Sequence, residues 1–182
     1  MKILSPRISI LKKDNILSIV ILATESKRKL WGLFLWLLAW TICGLIIISY
    51  FPQARDEKQK IFIFIYAAFW LYFEFRIIRV YTWRKWGKEK IWISNGKLHY
   101  QWEISGRGKI KEYDLERVGK FRLKELNRTS LADTLNQSFW IKGGERIEFD
   151  FVGKTIPLGM QISDEEARQI IKEVNQLLRN PN

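Results

Sequence analysis

Leu30 to Phe51 reads LWGLFLWLLAWTICGLIIISYF, twenty-two residues without a charge. As a helix this run spans about 33 Å, against a bilayer hydrocarbon core of roughly 30 Å. A stretch so long and so apolar is expected to cross a membrane once. Pro52 closes it, and residues 52–60, PQARDEKQK, are too polar for hydrocarbon and too short to fold alone, so they read as a turn outside the membrane. Residues 61–83 then return, apolar through IFIFIYAAFWLYF and mixed beyond it, where Glu74, Arg76 and Arg79 interrupt the pattern. Two transmembrane helices, 30–51 and 61–83, are predicted.

Charge orients this hairpin. The net +12 divides into +5 for residues 1–29, +2 for 30–83 and +5 for 84–182. Lys27, Arg28 and Lys29 precede the first span, and Arg84, Lys85, Lys88 and Lys90 follow the second, the arrangement that holds a segment on the cytosolic face. The expectation is a multi-pass protein of the cell (inner) membrane with both termini cytoplasmic and the lipid bilayer as its first partner. Because the flanking role accounts for much of the basic excess, no nucleic-acid partner is expected. Residues 1–29 are polar or strand-like, so a cleavable signal is not expected either. Cys43, the single cysteine, lies inside the first span, which leaves no intrachain disulfide and no thiol metal cluster. It reads as a small apolar filler.

Within the second span, Arg76 and Arg79 fall near the inner boundary, from where long side chains snorkel to the membrane surface. Glu74 lies deeper, about 10 Å inside, and its helical neighbours Trp70, Leu71, Ile77 and Ile78 supply no cation. An intramembrane carboxylate is costly, so Glu74 is the polar candidate of the hairpin. It reads as a proton or ion site, as a polar contact fixing helix association, or as a carboxyl near the interface bonded to water or to an indole such as Trp36 or Trp40. Trp31, Trp83 and Trp86 suit an aromatic belt, while Trp36, Trp40 and Trp70 suit packing of the hairpin or of a second copy.

From Glu89 the period changes. IWIS, the turn Asn95-Gly96 and LHYQWEI form a two-residue hairpin pattern. Further strands are expected over residues 109–115, 118–126, 138–142, 146–151 and 154–158, with tight turns at Gly143-Gly144 and Val152-Gly153. Ser163 and Glu166 make a capping box, and Ala167, Ile170, Ile171, Val174, Leu177 and Leu178 form the apolar stripe of a helix over 163–179. The class is α+β, mainly β: seven short strands and then one helix. A second hairpin is read over residues 7–22, in the cytosolic N-terminal segment 1–29. Two strands alone are marginal, so this piece is expected to dock, with the C-terminal sheet as one candidate surface. Residues 127–138 read as an exposed loop, with chance glycosylation sequons at Asn127 and Asn136.

Four passages carry a resemblance: SKRKLWGLFLWLLAW (26–40), WGKEKIWISNGKLHY (86–100), IKEYDLERVGKFRL (110–123) and FDFVGKTIPLGMQISDEEARQII (149–171). On these the chain is similar to a family of small uncharacterised bacterial membrane proteins that place a pleckstrin-homology-like domain after a two-helix hairpin. The resemblance implies that residues 84–182 form a cytosolic, pleckstrin-homology-like, seven-stranded sandwich or barrel, four strands plus three, capped by the C-terminal helix. It implies no reaction. Ser94-Asn95-Gly96-Lys97 is too tight for the inositol-phosphate pocket of the eukaryotic domains, so that ligand is not carried over.

Candidate chemistry is sparse. Gly153-Lys154-Thr155 lacks the first glycine and the following helix of a phosphate loop, and Gly106-Arg107-Gly108 lacks the third glycine and the following helix of a dinucleotide fingerprint. His99, the lone histidine, sits on the outward phase of a strand and reads as solvent-facing. Lys120, Arg122 and Lys124 alternate with Phe121 and Leu123, a basic row that would meet anionic headgroups or simply solubilise a strand. Catalysis at Glu145, Glu148 or Asp150 would have no recognisable support. The expectation is no catalytic set, no cofactor and no metal. The chain reads as a non-enzymatic, membrane-anchored interaction or scaffolding module whose partner is another membrane or cytosolic protein, a second copy or the inner membrane surface. The alternative is an oligomeric transport or channel component using Glu74.

Overall fold

A computed structural model describes residues 2–13, 16–23, 26–125 and 143–179. The chain forms two compact units, residues 26–85 in one and residues 1–25 with 86–182 in the other. The strand expected at 138–142, the loop 127–138 with its sequons and the turn at Asp14-Asn15 lie outside the described residues.

Residues 26–85 make two helices, α1 (Lys27–Ser49) and α2 (Glu57–Trp86), joined through a 3-10 turn at Phe51–Gln53. Both are long and apolar enough to cross a membrane, and only 11% of the most apolar window of each is buried. Phe62, Phe64, Phe69, Leu71 and Phe75 stand exposed around α2. A helix apolar on every side and left uncovered suits lipid, whereas a soluble core helix hides its apolar face. The helices differ from the expected spans at their ends. α1 opens at Lys27 rather than Leu30, α2 runs from Glu57 through Trp86, and the connection narrows to 50–56. Lys, Arg and Glu are good helix formers, so the helices continue beyond their apolar stretches.

The two helices touch through specific side chains. A Cβ at Gly44 would overlap the indole of Trp70, whose Nε1 donates to the Trp40 carbonyl at 3.2 Å. Farther along, Thr41 meets Glu74, and the Phe34 ring lies 5.9 Å from that of Tyr81. These contacts step backwards on α1 as they step forwards on α2, so the helices are antiparallel.

In the other unit every strand pairing among the described residues is antiparallel. Strands β1 (Lys2–Ser5), β2 (Ile8–Lys13), β3 (Ile16–Leu22), β4 (Gly87–Ser94), β5 (Lys97–Ile104) and β6 (Ile110–Asp114) form one sheet in chain order. The N-terminal hairpin therefore joins the C-terminal sheet: β3 pairs with β4 from Leu17↔Ile93 to Leu22↔Lys88. β1 is an extra strand that the sequence reading did not contain. The turn at Asn95-Gly96 has φ of 52° and 71°, the mirror-image geometry that a two-residue hairpin needs.

A second sheet contains β7 (Arg122–Leu123), β8 (Glu145–Phe151) and β9 (Lys154–Met160). Among the described residues the strands group six and three, whereas seven strands in four plus three were expected for residues 84–182 alone. One reason is the N-terminal hairpin. The other is that the strand expected over 118–126 runs beside β8 instead of β6. Val118 bridges Phe151, the Gly119 amide donates to the Asp150 carbonyl at 2.8 Å, and Arg122 pairs with Glu148. Phe121 breaks this ladder, because both of its backbone polar groups bond to the side-chain amide of Asn175, at 3.0 and 2.9 Å.

That asparagine belongs to α3 (Asp164–Arg179), which starts at the expected capping box. The Glu166 amide donates to Ser163 Oγ at 3.2 Å, and the Ser163 amide to Glu166 Oε2 at 2.8 Å. Ala167, Ile170 and Val174 on its stripe are wholly buried. They join Ile19, Ile21, Ile91 and Leu98 of the large sheet, and Ile147, Phe149 and Leu158 of the small one, in a single hydrophobic cluster. Arg7 ties the N-terminal strands to the end of β9, its guanidinium donating to the carbonyls of Leu22 and Gln161, both at 3.0 Å.

Candidate functional site

Glu74 is buried between the two helices. Its partner is neither of the indoles considered from sequence but Thr41, whose Oγ1 lies 2.7 Å from Glu74 Oε1 and 2.8 Å from the Leu37 carbonyl. One hydroxyl proton can serve only one of these acceptors at a time. Glu74 Oε2 and Trp40 Nε1 are buried and take no hydrogen bond among the described residues. Trp36 and Trp40 stack at 5.7 Å. The carboxyl therefore faces the other helix of its own hairpin. Arg76 and Arg79, both exposed, are occupied along α2 itself, Arg76 donating to the Tyr72 hydroxyl at 3.1 Å and Arg79 lying 5.8 Å from the centre of the Phe75 ring.

The most unusual polar group of the sheet domain is one that the sequence reading passed over. Glu89 is 1% exposed on the inward face of β4, in phase with Ile91 and Ile93. Its Oε1 accepts from the Tyr100 hydroxyl at 2.7 Å and from Trp102 Nε1 at 2.8 Å, and its Oε2 accepts from the Met160 amide at 2.9 Å. This one carboxyl thus ties β4 and β5 of the large sheet to β9 of the small one. Burial pushes it above its ordinary range, against the pull of those three donors. Burial and the adjacent Glu89 also push the Tyr100 hydroxyl well up. The signal was available: in the run Lys88-Glu89-Lys90 the acid alone shares a phase with the apolar residues that follow.

On the outer face of the same strands, Glu103 is held by Lys90 and by Lys88, the latter at 2.9 Å, and these two ammonium groups keep its carboxyl below the usual range. His99 does lie on the outward phase, but it is covered, with a side chain only 15% exposed. Its ring stacks on Trp92 at 4.9 Å, and Nδ1 lies 3.8 Å from Glu112.

The expected basic row is largely engaged. Lys120 is exposed. Arg122 donates to Glu148 at 2.7 Å and grips Asp150 with both terminal nitrogens, and Lys124 lies 4.0 Å from Glu145. The three carboxylates considered for catalysis are therefore the partners of the row considered for headgroups. Gly153-Lys154-Thr155 leaves a tight turn, with Val152 and Gly153 at positive φ, and enters β9 instead of a helix. Among the described residues no group of three or more His, Cys, Asp or Glu side chains is placed to hold a metal ion.

Together these features define a class: two helices of membrane-crossing length inserted into an antiparallel sheet domain that ends in a helix. No protein-family model, curated protein or solved structure matches the chain significantly.

Proposed function

We propose that this chain is a membrane-anchored interaction module without enzymatic activity, held by its helical hairpin at the inner face of a bacterial cell membrane. Its sheet domain binds a protein partner, a second copy or the membrane surface from the cytosolic side. The reading takes the domain as pleckstrin-homology-like, after its antiparallel sheets and closing helix, and takes both chain ends as cytoplasmic.

The observation that carries it is a surface. Ile3, Leu11, Ile16 and Leu22 are 72%, 45%, 48% and 42% exposed, and the strand registers put all four on the outer face of β1–β3, away from the shared core. Apolar side chains gathered on one sheet face are a contact surface awaiting cover. The carboxylates that chemistry would need are engaged elsewhere, Glu89 by three donors and Glu148 and Asp150 by Arg122. The topology finds support in sequence order too. α1 leaves the end of β3 and α2 returns to the start of β4, two strands that pair, so both flanks of the hairpin lead to one sheet.

Photo-crosslinking residues placed at Leu11 and Ile16 in cell membranes test the reading. A discrete protein adduct, to another protein or to a second copy, or a lipid adduct absent from a control at Lys120, is expected. Adducts no different from that control would contradict it.

The rival, an oligomeric transport or channel component, has one observation in its favour: the buried Oε2 of Glu74, which has no hydrogen-bond partner among the described residues. Reconstituted flux abolished by Glu74→Gln would support it, and unchanged flux and assembly would remove it.

A further inference from the structure

The sheet domain begins where a helix of membrane length ends. Trp86 closes α2 and Gly87 opens β4. By helical rise Trp86 lies about 10 Å past Arg79, at the polar surface of a bilayer that α2 crosses. The β5–β6 turn is held beside this point. Ile104 is the cross-strand partner of Gly87, and the Ser105 amide donates to the Trp86 carbonyl at 3.5 Å. Ser105 and Gly106, at φ of 48° and 81°, make a two-residue turn closed by reciprocal bonds between Ile104 and Arg107, at 2.8 and 3.0 Å. Gly108 then passes so close to the Trp102 carbonyl that a Cβ there would overlap it, and its own carbonyl accepts from Gln101 at 2.8 Å. The backbone that carries Arg107 and Lys109 is therefore fixed, and both residues are exposed.

Charge and apolar surface coincide here. Residues 104–111, ISGRGKIK, hold three cations and no acid, so a carboxylate brought to any one of them from elsewhere would still leave the segment positive. On the adjoining outer face, Lys88 and Lys90 share Glu103. Leu22, opposite Lys88, and Ile110, opposite Gln101, are exposed on that face, and Trp86 is exposed where α2 ends. Apolar and aromatic side chains set among cations are what a bilayer surface takes up, the rings at headgroup level and the cations on the phosphates.

We infer that the β5–β6 turn, with Trp86, Ile110 and Leu22, rests on the inner membrane surface and gathers anionic phospholipid headgroups around Arg107, Lys109 and Lys111. This rests on the reading that α2 crosses the bilayer. It moves the headgroup contact away from residues 120–124, where Arg122 is held by Glu148 and Asp150. The preference needs net positive charge and no single unpaired group, because each cation near an anionic surface is worth about fivefold. Leu11 and Ile16, toward the other end of β2 and β3, are left for the partner proposed above.

A photoreactive residue in place of Ile110 tests the contact, in the full chain reconstituted into nanodiscs of equal phosphatidylglycerol and phosphatidylcholine with identical acyl chains. Mass spectrometry of the adducts should show lipid, with phosphatidylglycerol in excess over phosphatidylcholine. Arg107→Gln with Lys109→Gln should cut that excess about fivefold for each charge removed, and added salt should shrink it. Arg117→Gln with Lys154→Gln removes the same charge far from the turn, beside Asn95-Gly96 and at the start of β9, and should leave the excess unchanged. Adducts in the bulk lipid ratio, an excess that the Arg107 and Lys109 changes leave intact, or no lipid adduct at position 110 overturns the proposal. Failure of the chain to enter nanodiscs would remove the membrane-crossing reading as well; entry with any of those three results removes the headgroup contact alone.

Discussion

Leu22 and Lys88 face each other as cross-strand partners in β3 and β4, although both long helices lie between them in the chain. The helical hairpin is thus an insertion into a continuous sheet. α2 passes into β4 with no residue between Trp86 and Gly87, so the sheet begins where the helix stops.

Close to that junction, Glu89 bonds three donors from two strands outside its own. Glu89→Leu should leave the Tyr100 hydroxyl and the Met160 amide without the acceptor they have in the parent, at about 1–3 kcal/mol for each buried group. A loss of about 3 kcal/mol or more is expected in denaturant unfolding of the purified chain, with faster amide exchange at Met160. Unchanged exchange there would contradict the role given to Glu89.

The same carboxyl makes stability depend on pH. Its value is raised from the ordinary 4.5 on folding, so between 4.5 and the folded value the folded chain holds a proton that the unfolded chain has released. Stability from this group is fully present below about 4.5 and is lost as pH rises through the folded value. The melting temperature of the wild type relative to Glu89→Gln should therefore fall as pH is raised from 4.5. A difference constant with pH would show that Glu89 does not titrate this way.

Between the helices, Thr41 and Glu74 should couple. Thr41→Val removes the partner of Glu74 Oε1, while Glu74→Gln brings an amide donor that lets Thr41 keep its bond to the Leu37 carbonyl. A double-mutant cycle of Thr41→Val with Glu74→Ala, read from hairpin unfolding in detergent, should give about 0.6–1.7 kcal/mol of coupling, and Glu74→Gln alone should cost less than Glu74→Ala.

Gly44→Leu should separate the helices, because any side chain at 44 must occupy the space of the Trp70 indole. A cost of about 1–3 kcal/mol, or a shifted hairpin register, is expected. Short-span crosslinking between cysteines at Phe34 and Tyr81, in a Cys43→Ser background, should form in the parent and drop in the variant.

Asn175→Leu should destabilise the domain by about 1–2 kcal/mol, since both backbone groups of Phe121 lose their partner. Hydrogen exchange at the Phe121 amide reads this directly. Protection equal to the parent would mean that the ladder with β8 continues without the asparagine.

These residues also mark how far sequence reasoning reached. The hairpin was legible because an uncharged run of bilayer length has few other uses, and α3 because Ser163 and Glu166 announce its first turn. The strands of the N-terminal hairpin were legible as strands, but alternation names no partner, and the pairing of β3 with β4 is hidden behind two helices. At 118–126 the alternation of Phe121 and Leu123 reads as a strand of the first sheet. That strand's actual partner is β8, further on in the chain, and Asn175 interrupts the pairing at Phe121, neither of which alternation can show. Glu74 stood out as a charge in hydrocarbon, but its partner lies on the facing helix, where spacing within α2 cannot find it. Glu89 was missed because two flanking lysines make it look like part of a solvated charge cluster, whereas its phase with Ile91 and Ile93 puts it inside.

The proposed topology has the hairpin crossing the membrane and the sheet domain on the cytosolic side. Single cysteines at Arg55 and at Lys120, in a Cys43→Ser background, measure it through labelling of intact cells with a membrane-impermeant maleimide. Position 55 is expected to label in intact cells, and position 120 only after permeabilisation. Labelling of position 120 in intact cells, or of neither position until the membrane is opened, would contradict it.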